Sequence, residues 1–211
     1  HYEAPAECAD LATAVGIRLS NIEDGPWGRR PATMAIDPTP GADTTARAPG
    51  GTEHVYRGAP FAIVSAATRR ARLARDADPP AGNPPQVVVV VGGPDPRGYL
   101  QPLVTASLDA HPTARVTAVC TNATQATSLR DRCGAPHRLL VEPPIRDLPI
   151  RFISADLVVT AAGTTATEAV IVGAPSALIR AVGNQGPVYD ALVGSGSAYG
   201  LSRDGEATSV R

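Results

Sequence analysis

Short apolar runs alternate with segments of helical periodicity from residue 86 to residue 201, and no other feature constrains the fold as strongly. The first run, 86–91, is one glutamine followed by five valines, which is typical of a buried parallel strand. Strict alternation of this kind predicts an α/β fold with a doubly wound parallel sheet, in which ligands bind at the carboxyl ends of the strands. We predict strands at 86–91, 115–120, 137–141, 157–160, 176–181 and 198–201, and helices at 99–110, 123–133, 148–154, 187–193 and from 164 or 165 onward.

A proline-rich segment at 77–85 separates this region from a less complete one. Four prolines and a glycine occur in the ten residues from 76 to 85, which is typical of a semi-rigid exposed linker. We therefore predict a partial α/β domain at 1–76, a linker at 77–85 and a complete domain at 86–211. Upstream of the linker, two helices and two strands are too few to close a doubly wound domain, so we expect the chain to begin partway through one. These elements are predicted at 5–15, 17–22, 33–36 and 66–76, and residues 37–56 show no periodicity.

The segment 155–168 carries the strongest sign of a ligand site. A β-branched run ends near Gly163, where the backbone can turn tightly, and Thr164 or Thr165 can then cap the helix that follows. The start of such a helix offers unpaired N–H groups and a positive dipole end to an anion. Glu168 lies about one turn inside, where a carboxylate can accept hydrogen bonds from the vicinal hydroxyls of a sugar. Phosphate donors beside a diol acceptor indicate a nucleotide.

Other residues at the predicted strand ends allow two interpretations each. Gly92 and Gly93 close the valine strand and suit a phosphate turn, but they also suit an ordinary turn in which Asp95 caps the next helix. The pair at 184–185, Asn-Gln, can reach a ligand or simply cap a helix, and Glu168 can be a solvated helix residue. Arg97 and Arg180 each follow a strand end closely enough to reach a phosphate.

Composition excludes several functions. The net charge is −1, so no nucleic-acid partner is expected, and all 19 basic residues are arginine, which rules out a lysine Schiff base and a P-loop lysine. The three cysteines form no Cys-x-x-Cys pair, and no histidine has metal-ligand spacing, so we predict no metal and no other cofactor. An odd number of widely spaced cysteines is typical of a protein in the reducing cytoplasm, which is the compartment we predict. No apolar run approaches the roughly 18 residues of a membrane span, and no signal-peptide pattern occurs.

Four segments in one order resemble the C-terminal half of a GT-B type nucleotide-sugar enzyme. They are 92–95 (Gly-Gly-Pro-Asp), 155–168, 173–175 (Gly-Ala-Pro) and the Asn-Gln pair. The most similar family is the UDP-sugar hydrolase of pseudaminic acid biosynthesis, with the related spore coat polysaccharide proteins. The first 65 residues resemble the same family at His1 and Tyr2, at 22–24 and at 56–64. The resemblance implies a Rossmann-like C-terminal domain that binds a nucleotide sugar, with UDP as the expected nucleotide.

The resemblance also implies a role for individual residues. It implies that the family's helix glutamate, here Glu168, binds the ribose, that backbone atoms at Ile145 read the base, and that Asn184 and Gln185 reach toward the sugar. Asn184 is the candidate catalytic residue, which would orient the sugar or the attacking water. The diphosphate would be held by Gly92, Gly93, Gly163, Thr164 and Thr165.

One family motif is not found. The resemblance implies a Gly-x-Gly-His-x-x-Arg loop whose histidine is the leading candidate for the hydrolytic step, and the chain has no such segment. Two hypotheses stay open. The chain is either part of an enzyme that hydrolyses or transfers a sugar at its anomeric carbon in polysaccharide or secondary-metabolite glycan biosynthesis, or a non-catalytic nucleotide-sugar-binding module. In the first case the base would come from residues that are absent from this sequence, from a partner chain, or from a local group such as Asp37 or His54. An incomplete first domain leaves strand edges unpaired, which favours a homodimer or a catalytic partner chain.

Overall fold

The computed structural model describes residues 7–25, 28–50, 52–80, 82–93, 95 and 97–201. The chain divides into two compact units, His1–Ile63 and Val64–Arg211. Both are built around parallel sheets, and the predicted α/β fold class is confirmed. The predicted motif residues His1, Tyr2 and Pro94 lie outside the described residues. Among the residues that the structure describes, no helix is long and apolar enough to cross a bilayer.

The first unit contains a three-stranded parallel sheet in the order β1-β2-β3. The third strand was not predicted, because it is short, follows the stretch without periodicity and exposes three of its four residues. The predicted helix at 5–15 is observed as α1, and residues 5 and 6 are outside the described range. The elements of this unit are α1 (Glu7–Ala14), β1 (Ser20–Ile22), β2 (Met34–Asp37), β3 (His54–Arg57) and a 3₁₀ helix (Ala59–Phe61).

Charged residues lie at the carboxyl edge of this first sheet. Both Nε and Nη2 of Arg57 donate to Oε2 of Glu23, at 3.1 and 2.9 Å, and both side chains are buried. Asp37 is fully buried, and its Oδ1 accepts a hydrogen bond from the backbone N–H of Thr39 at 3.1 Å. Asp37 therefore caps the loop after β2, which is the structural role that acidic residues commonly have at strand ends. His54, the other alternative base, is exposed on β3.

The second unit is a six-stranded, all-parallel sheet in the order β6-β5-β4-β7-β8-β9. Its elements are α2 (Ala66–Ala77), β4 (Gln86–Val90), α3 (Leu100–Ala110), β5 (Arg115–Val119), α4 (Ala123–Arg132), β6 (Leu139–Glu142), β7 (Leu157–Ala161), α5 (Thr164–Val172), β8 (Ser176–Ile179), α6 (Gly186–Gly194) and β9 (Tyr199–Gly200), with 3₁₀ helices at Pro136–Arg138, Leu148–Phe152 and Gly183–Gln185. The chain leaves β4 toward β5 and β6, then returns to β7 on the opposite side of β4. The strand order therefore reverses between β4 and β7, the place where doubly wound sheets bind ligands.

The valines of β4 show why the sheet needs helices on both faces. Val87 and Val89 pack into one buried cluster with residues of α3, whereas Val88 and Val90 pack into another with α2 and α5. Successive strand residues point to opposite faces, so a run of valines is stable only when both faces are covered. Burial of each valine contributes about 1.5 to 3 kcal/mol.

Helix α2 belongs to the second unit. The side chain of Arg75 is buried, and its Nη1 donates to the carbonyl oxygens of Phe152, Ile153 and Ala155, each at 2.8 Å. Its Nε donates to the carbonyl of Gly173 at 3.1 Å. The unit boundary lies between residues 63 and 64, before α2, whereas the sequence placed α2 in the first domain. An arginine-rich helix resembles a solvated surface helix, and only the packed structure shows that one arginine is a buried donor.

Candidate functional site

A cleft of about 410 Å³ lies at the carboxyl ends of β4, β7 and β8. On the β4 side it is bordered by Gly92 and Gly93, whose φ angles of 75° and 55° are in the left-handed region that favours glycine. A Cβ atom built at either position would meet no atom within 4 Å, so the turn borders open space. This turn therefore lets the backbone approach a ligand closely.

The start of α5 forms the opposite wall of the cleft, with Gly163, Thr164 and Thr165. The expectation that Thr164 or Thr165 caps the helix is wrong: the helix begins at Thr164, Gly163 occupies the N-cap position, and no side chain caps it. Among the described residues, none accepts a hydrogen bond from the backbone N–H of Thr164 or Thr165. The first turn of α5 therefore presents open donors and the positive end of the helix dipole to the cleft.

Gln185 closes the cleft beside β8. Its Oε1 accepts hydrogen bonds from the backbone N–H groups of Ala181 and Val182, at 2.9 and 3.3 Å. Its Nε2 lies 3.8 Å from the position that a Cβ atom would take at Gly163. The carbonyl end of the amide is thus used to hold the loop, and the NH₂ end is placed beside the start of α5. Gln185 adds a donor to a wall that already consists of donors.

Asp95 lies in the same loop as the glycine pair and has a structural role. Its Oδ1 accepts from the backbone N–H of Tyr99 and its Oδ2 from that of Leu100, both at 2.9 Å. Gln125 donates a third hydrogen bond to Oδ2 at 3.3 Å. The donors at the start of α3 are therefore satisfied by a protein carboxylate, whereas those of α5 are open. The two helix starts at the switch point differ, and only that of α5 is ready for an anion.

The two arginines that follow strand ends have different surroundings. Arg97 is exposed at the cleft, and no described residue accepts a hydrogen bond from its guanidinium. Arg180 does not line the cleft, because its Nη2 pairs with Asp190 at 2.9 Å and its guanidinium stacks over the Tyr189 ring at 5.5 Å. Arg97 is thus the arginine of this pair that is available to a ligand.

Glu168, Ile145 and Asn184 lie outside the lining of the cleft. Glu168 is half-buried on α5 and its Oε1 accepts a hydrogen bond from Oγ1 of Thr68 at 3.2 Å. Burial raises the pKa of the Glu168 carboxyl, and the Thr68 hydrogen bond partly opposes this shift. Ile145 packs against the core cluster that contains Phe152, and Asn184 is exposed on a 3₁₀ helix.

Six of the nine predicted residues meet around one cleft, namely Gly92, Gly93, Gly163, Thr164, Thr165 and Gln185. Tyr99 and Val182 also line the cleft, and neither was predicted from the sequence. Tyr99 could have been found from its place at the end of the glycine-rich loop. Thr68 was missed as well, and no sequence signal connects it to a residue 100 positions away. Within the described part of the chain, no group of three or more His, Cys, Asp or Glu side chains is placed to hold a metal ion.

The chain matches no protein-family model and no curated protein by sequence, but it is similar in fold to solved structures. MurG of Acinetobacter baumannii superposes with a TM-score of 0.59 and 18% identity over 90% of this chain and 55% of that one. MnaA of S. aureus, solved with UDP, superposes with a TM-score of 0.54 and 9% identity over 94% and 66%. Among six of the solved structures that it resembles, the chain spans between 31% and 66% of the length of the solved chain.

These similarities establish the fold. The chain has a parallel-sheet, Rossmann-like α/β fold of the GT-B type.

Proposed function

We propose that the chain binds a nucleotide sugar, with UDP as its nucleotide, in the cleft between the ends of β4 and β7. The observation that carries this proposal is the first turn of α5, where the N–H groups of Thr164 and Thr165 have no acceptor among the described residues and line the cleft. Opposite them, the turn at Gly92 and Gly93 has no side chains to keep a ligand away. A diphosphate suits such a surface because it brings several acceptor oxygens and negative charge.

The proposed reaction is hydrolysis or transfer of the sugar at its anomeric carbon. When the bond to the anomeric carbon breaks, negative charge develops on the departing diphosphate. Fixed donors at Thr164, Thr165 and Gln185, together with the cation of Arg97, would stabilise that charge without reorganising. The rest of the ligand would extend beyond the cleft, where Glu168 would bind the ribose hydroxyls, backbone atoms at Ile145 would contact the base, and Asn184 would orient the sugar or the attacking water.

A non-catalytic nucleotide-sugar-binding module is the second candidate, and one observation favours it. Among the described residues that line the cleft, the single carboxylate is Asp95, which already accepts three hydrogen bonds, and there is no histidine. A general base must be within reach of the proton that it removes. In an enzyme, the base would therefore come from a residue outside the described lining of the cleft, either elsewhere in the protein or on a partner chain. We also propose a cytoplasmic setting in glycan biosynthesis, in which the three free cysteines would stay reduced.

Incubation of the chain with a panel of UDP-sugars tests both candidates. We expect UDP to raise the midpoint of thermal unfolding, because a ligand at about 100 times its Kd stabilises the folded state by about 2.7 kcal/mol. Release of UDP together with free sugar would identify a hydrolase, and release that requires an added acceptor would identify a transferase. Stabilisation without turnover would leave the binding module. An unchanged melting curve with every UDP-sugar and with UDP itself would contradict the proposal.

A further inference from the structure

A hydroxyl group from α2 reaches the carboxylate of Glu168. Oγ1 of Thr68 donates to Oε1 of Glu168 at 3.2 Å, and Thr68 is fully buried between α2 and α5. Because Thr68 cannot move into solvent, this hydrogen bond holds one carboxylate oxygen in place. The partner of Glu168 on α2 is thus a fixed group.

Ser65 in turn holds the hydroxyl of Thr68. Ser65 is the N-cap residue of α2: its Oγ accepts a hydrogen bond from the backbone N–H of Thr68 at 3.0 Å. The two hydroxyl oxygens are 2.8 Å apart. The Thr68 hydroxyl has a single proton, and it donates that proton to Glu168, so Ser65 must be the donor in the Ser65–Thr68 pair. The three side chains therefore form a directed chain in which each hydrogen bond polarises the next.

The second oxygen of Glu168 is open. Within the described part of the chain no donor contacts Oε2, and this atom is not among the buried polar atoms that lack a partner. A carboxylate that is held through one oxygen and open at the other can accept hydrogen bonds from a pair of neighbouring hydroxyl groups. The Thr68 hydrogen bond therefore orients the Glu168 carboxylate and leaves its second oxygen free to accept hydrogen bonds from a ligand.

We propose that Thr68 is a positioning residue, which, supported by Ser65, orients the Glu168 carboxylate for the ribose diol and so makes the site select ribonucleotides over deoxyribonucleotides. This inference rests on the proposed function, in which Glu168 binds the ribose. It adds two side chains, Thr68 and Ser65, that contribute to nucleotide recognition from the start of α2, a helix that the sequence assigned to a different domain.

The pH dependence of UDP binding provides a readout that a purely structural role of Thr68 would not change. Burial raises the pKa of Glu168, and the Thr68 hydrogen bond lowers it. The ionised carboxylate is the form that only accepts hydrogen bonds, so ribose binding weakens as the pH falls through the pKa of Glu168. Without the Thr68 hydroxyl, the pKa of Glu168 is higher, and the midpoint of this loss moves to higher pH.

The other charged groups on elements packed against α5 have their own partners or are exposed. On α2, Arg72 pairs with Asp76 at 2.7 Å and Arg75 bonds to backbone carbonyls, while the two remaining arginines are exposed. On the 3₁₀ helix Leu148–Phe152, Arg151 pairs with Glu142. β7 and β8 contain no charged side chain. The pKa shift of Glu168 is accordingly attributed to burial and to Thr68 alone.

Calorimetric titration of the whole chain with UDP and with 2′-deoxy-UDP tests the proposal. We expect the unmodified chain to bind UDP about tenfold more tightly than 2′-deoxy-UDP, which corresponds to one hydrogen bond to a charged group. Thr68→Val should lose most of this preference and should shift the acid midpoint of UDP binding upward. Thr68→Ser, which keeps the hydroxyl, should retain both properties. Thr127→Val, on the exposed surface of α4, is the control and should change neither.

The possible outcomes separate this inference from the proposed function. Absence of UDP binding by the unmodified chain would overturn both. If the chain binds UDP but does not distinguish it from 2′-deoxy-UDP, Glu168 does not recognise the ribose hydroxyls, while the proposed diphosphate site stands. A Thr68→Val chain that keeps both the preference and the pH midpoint would overturn the role of Thr68 alone. Thermal unfolding checks that each variant is folded, and if Thr68→Val is not, Ser65→Ala must produce the same two shifts.

Discussion

At the scale of single residues, partners decide what each side chain at the sheet edge can do. Asp95 has a carboxylate at the cleft, yet three donors from the protein occupy it. Gln185 divides its amide between a carbonyl that holds the loop and an NH₂ group beside Gly163. Both residues are polar and follow a strand end, and only the second offers a group to a ligand.

Arg97 and Arg180 make a matched pair for testing the proposed diphosphate site. We expect Arg97→Gln to weaken UDP binding by about 1 kcal/mol, because an exposed cation contributes modestly to a contact with a phosphate, and to leave uridine binding unchanged. Arg180→Gln removes the same charge outside the cleft, where the guanidinium pairs with Asp190, and should change neither affinity. Calorimetry with UDP and uridine measures both variants. Equal losses in the two variants would point to a general effect of net charge and not to a contact at the cleft.

At the scale of elements, α2 and α5 are joined by hydrogen bonds that a linker helix would not make. Arg75 donates to four carbonyl oxygens at the ends of α5 and of the 3₁₀ helix Leu148–Phe152. Burial lowers the pKa of the Arg75 guanidinium, which still carries its charge at neutral pH. The carbonyl groups around the guanidinium offset its loss of hydration. These hydrogen bonds form only when α2 packs against α5 and the 3₁₀ helix.

Removal of the Arg75 side chain tests how firmly α2 is attached. Arg75→Ala leaves buried carbonyl groups without a donor, and we expect it to lower the free energy of unfolding by about 3 kcal/mol. Arg70→Ala changes an exposed arginine of the same helix and should cost less than about 0.5 kcal/mol. Urea unfolding of the whole chain, followed by circular dichroism, compares the two. If their midpoints coincide, the hydrogen bonds of Arg75 do not anchor the helix.

At the scale of the whole molecule, the boundary between the two compact units lies between residues 63 and 64. The second unit contains its own core on both faces of the six-stranded sheet, including Ala71 from α2 in the cluster around Phe152. The cleft and the Ser65–Thr68–Glu168 chain also lie within this unit. We infer that residues 64–211 contain what is needed to hold the nucleotide.

Two truncations distinguish this boundary from the one that the proline-rich segment suggests. Residues 64–211 should fold cooperatively and bind UDP with nearly the affinity of the whole chain. Residues 86–211 lack α2, so Val88, Val90 and Phe152 lose part of their cover, and this shorter chain should unfold at a markedly lower urea concentration. Equal stability of the two truncated chains would instead support the domain boundary at 77–85 that the proline-rich segment predicts.

Local sequence patterns determined the architecture of the second unit. Every predicted strand from 86 onward is observed, with ends that differ by at most two residues, because a β-branched run between glycines and prolines has few other stable arrangements. Gly92, Gly93 and Gly163 could be placed at the same edge of the sheet from the sequence. Each follows a predicted strand, and the alternation of strands and helices predicts that these strands are parallel. The 3₁₀ helix Leu148–Phe152 and the short β9 show where the pattern is weakest.

Only the tertiary structure decided which groups are available. It showed that Gly163, and not a threonine, is the N-cap of α5, that Asp95 is satisfied, and that Arg97 and Arg180 differ. It also brought Thr68 to Glu168 across 100 residues. The physical reason is that strand and helix preferences depend on neighbours in the chain, whereas hydrogen-bond satisfaction and burial depend on neighbours in space. The sequence by itself therefore determined that a cleft would lie at the carboxyl ends of the strands, and the tertiary structure decided which groups around it have partners and which are open.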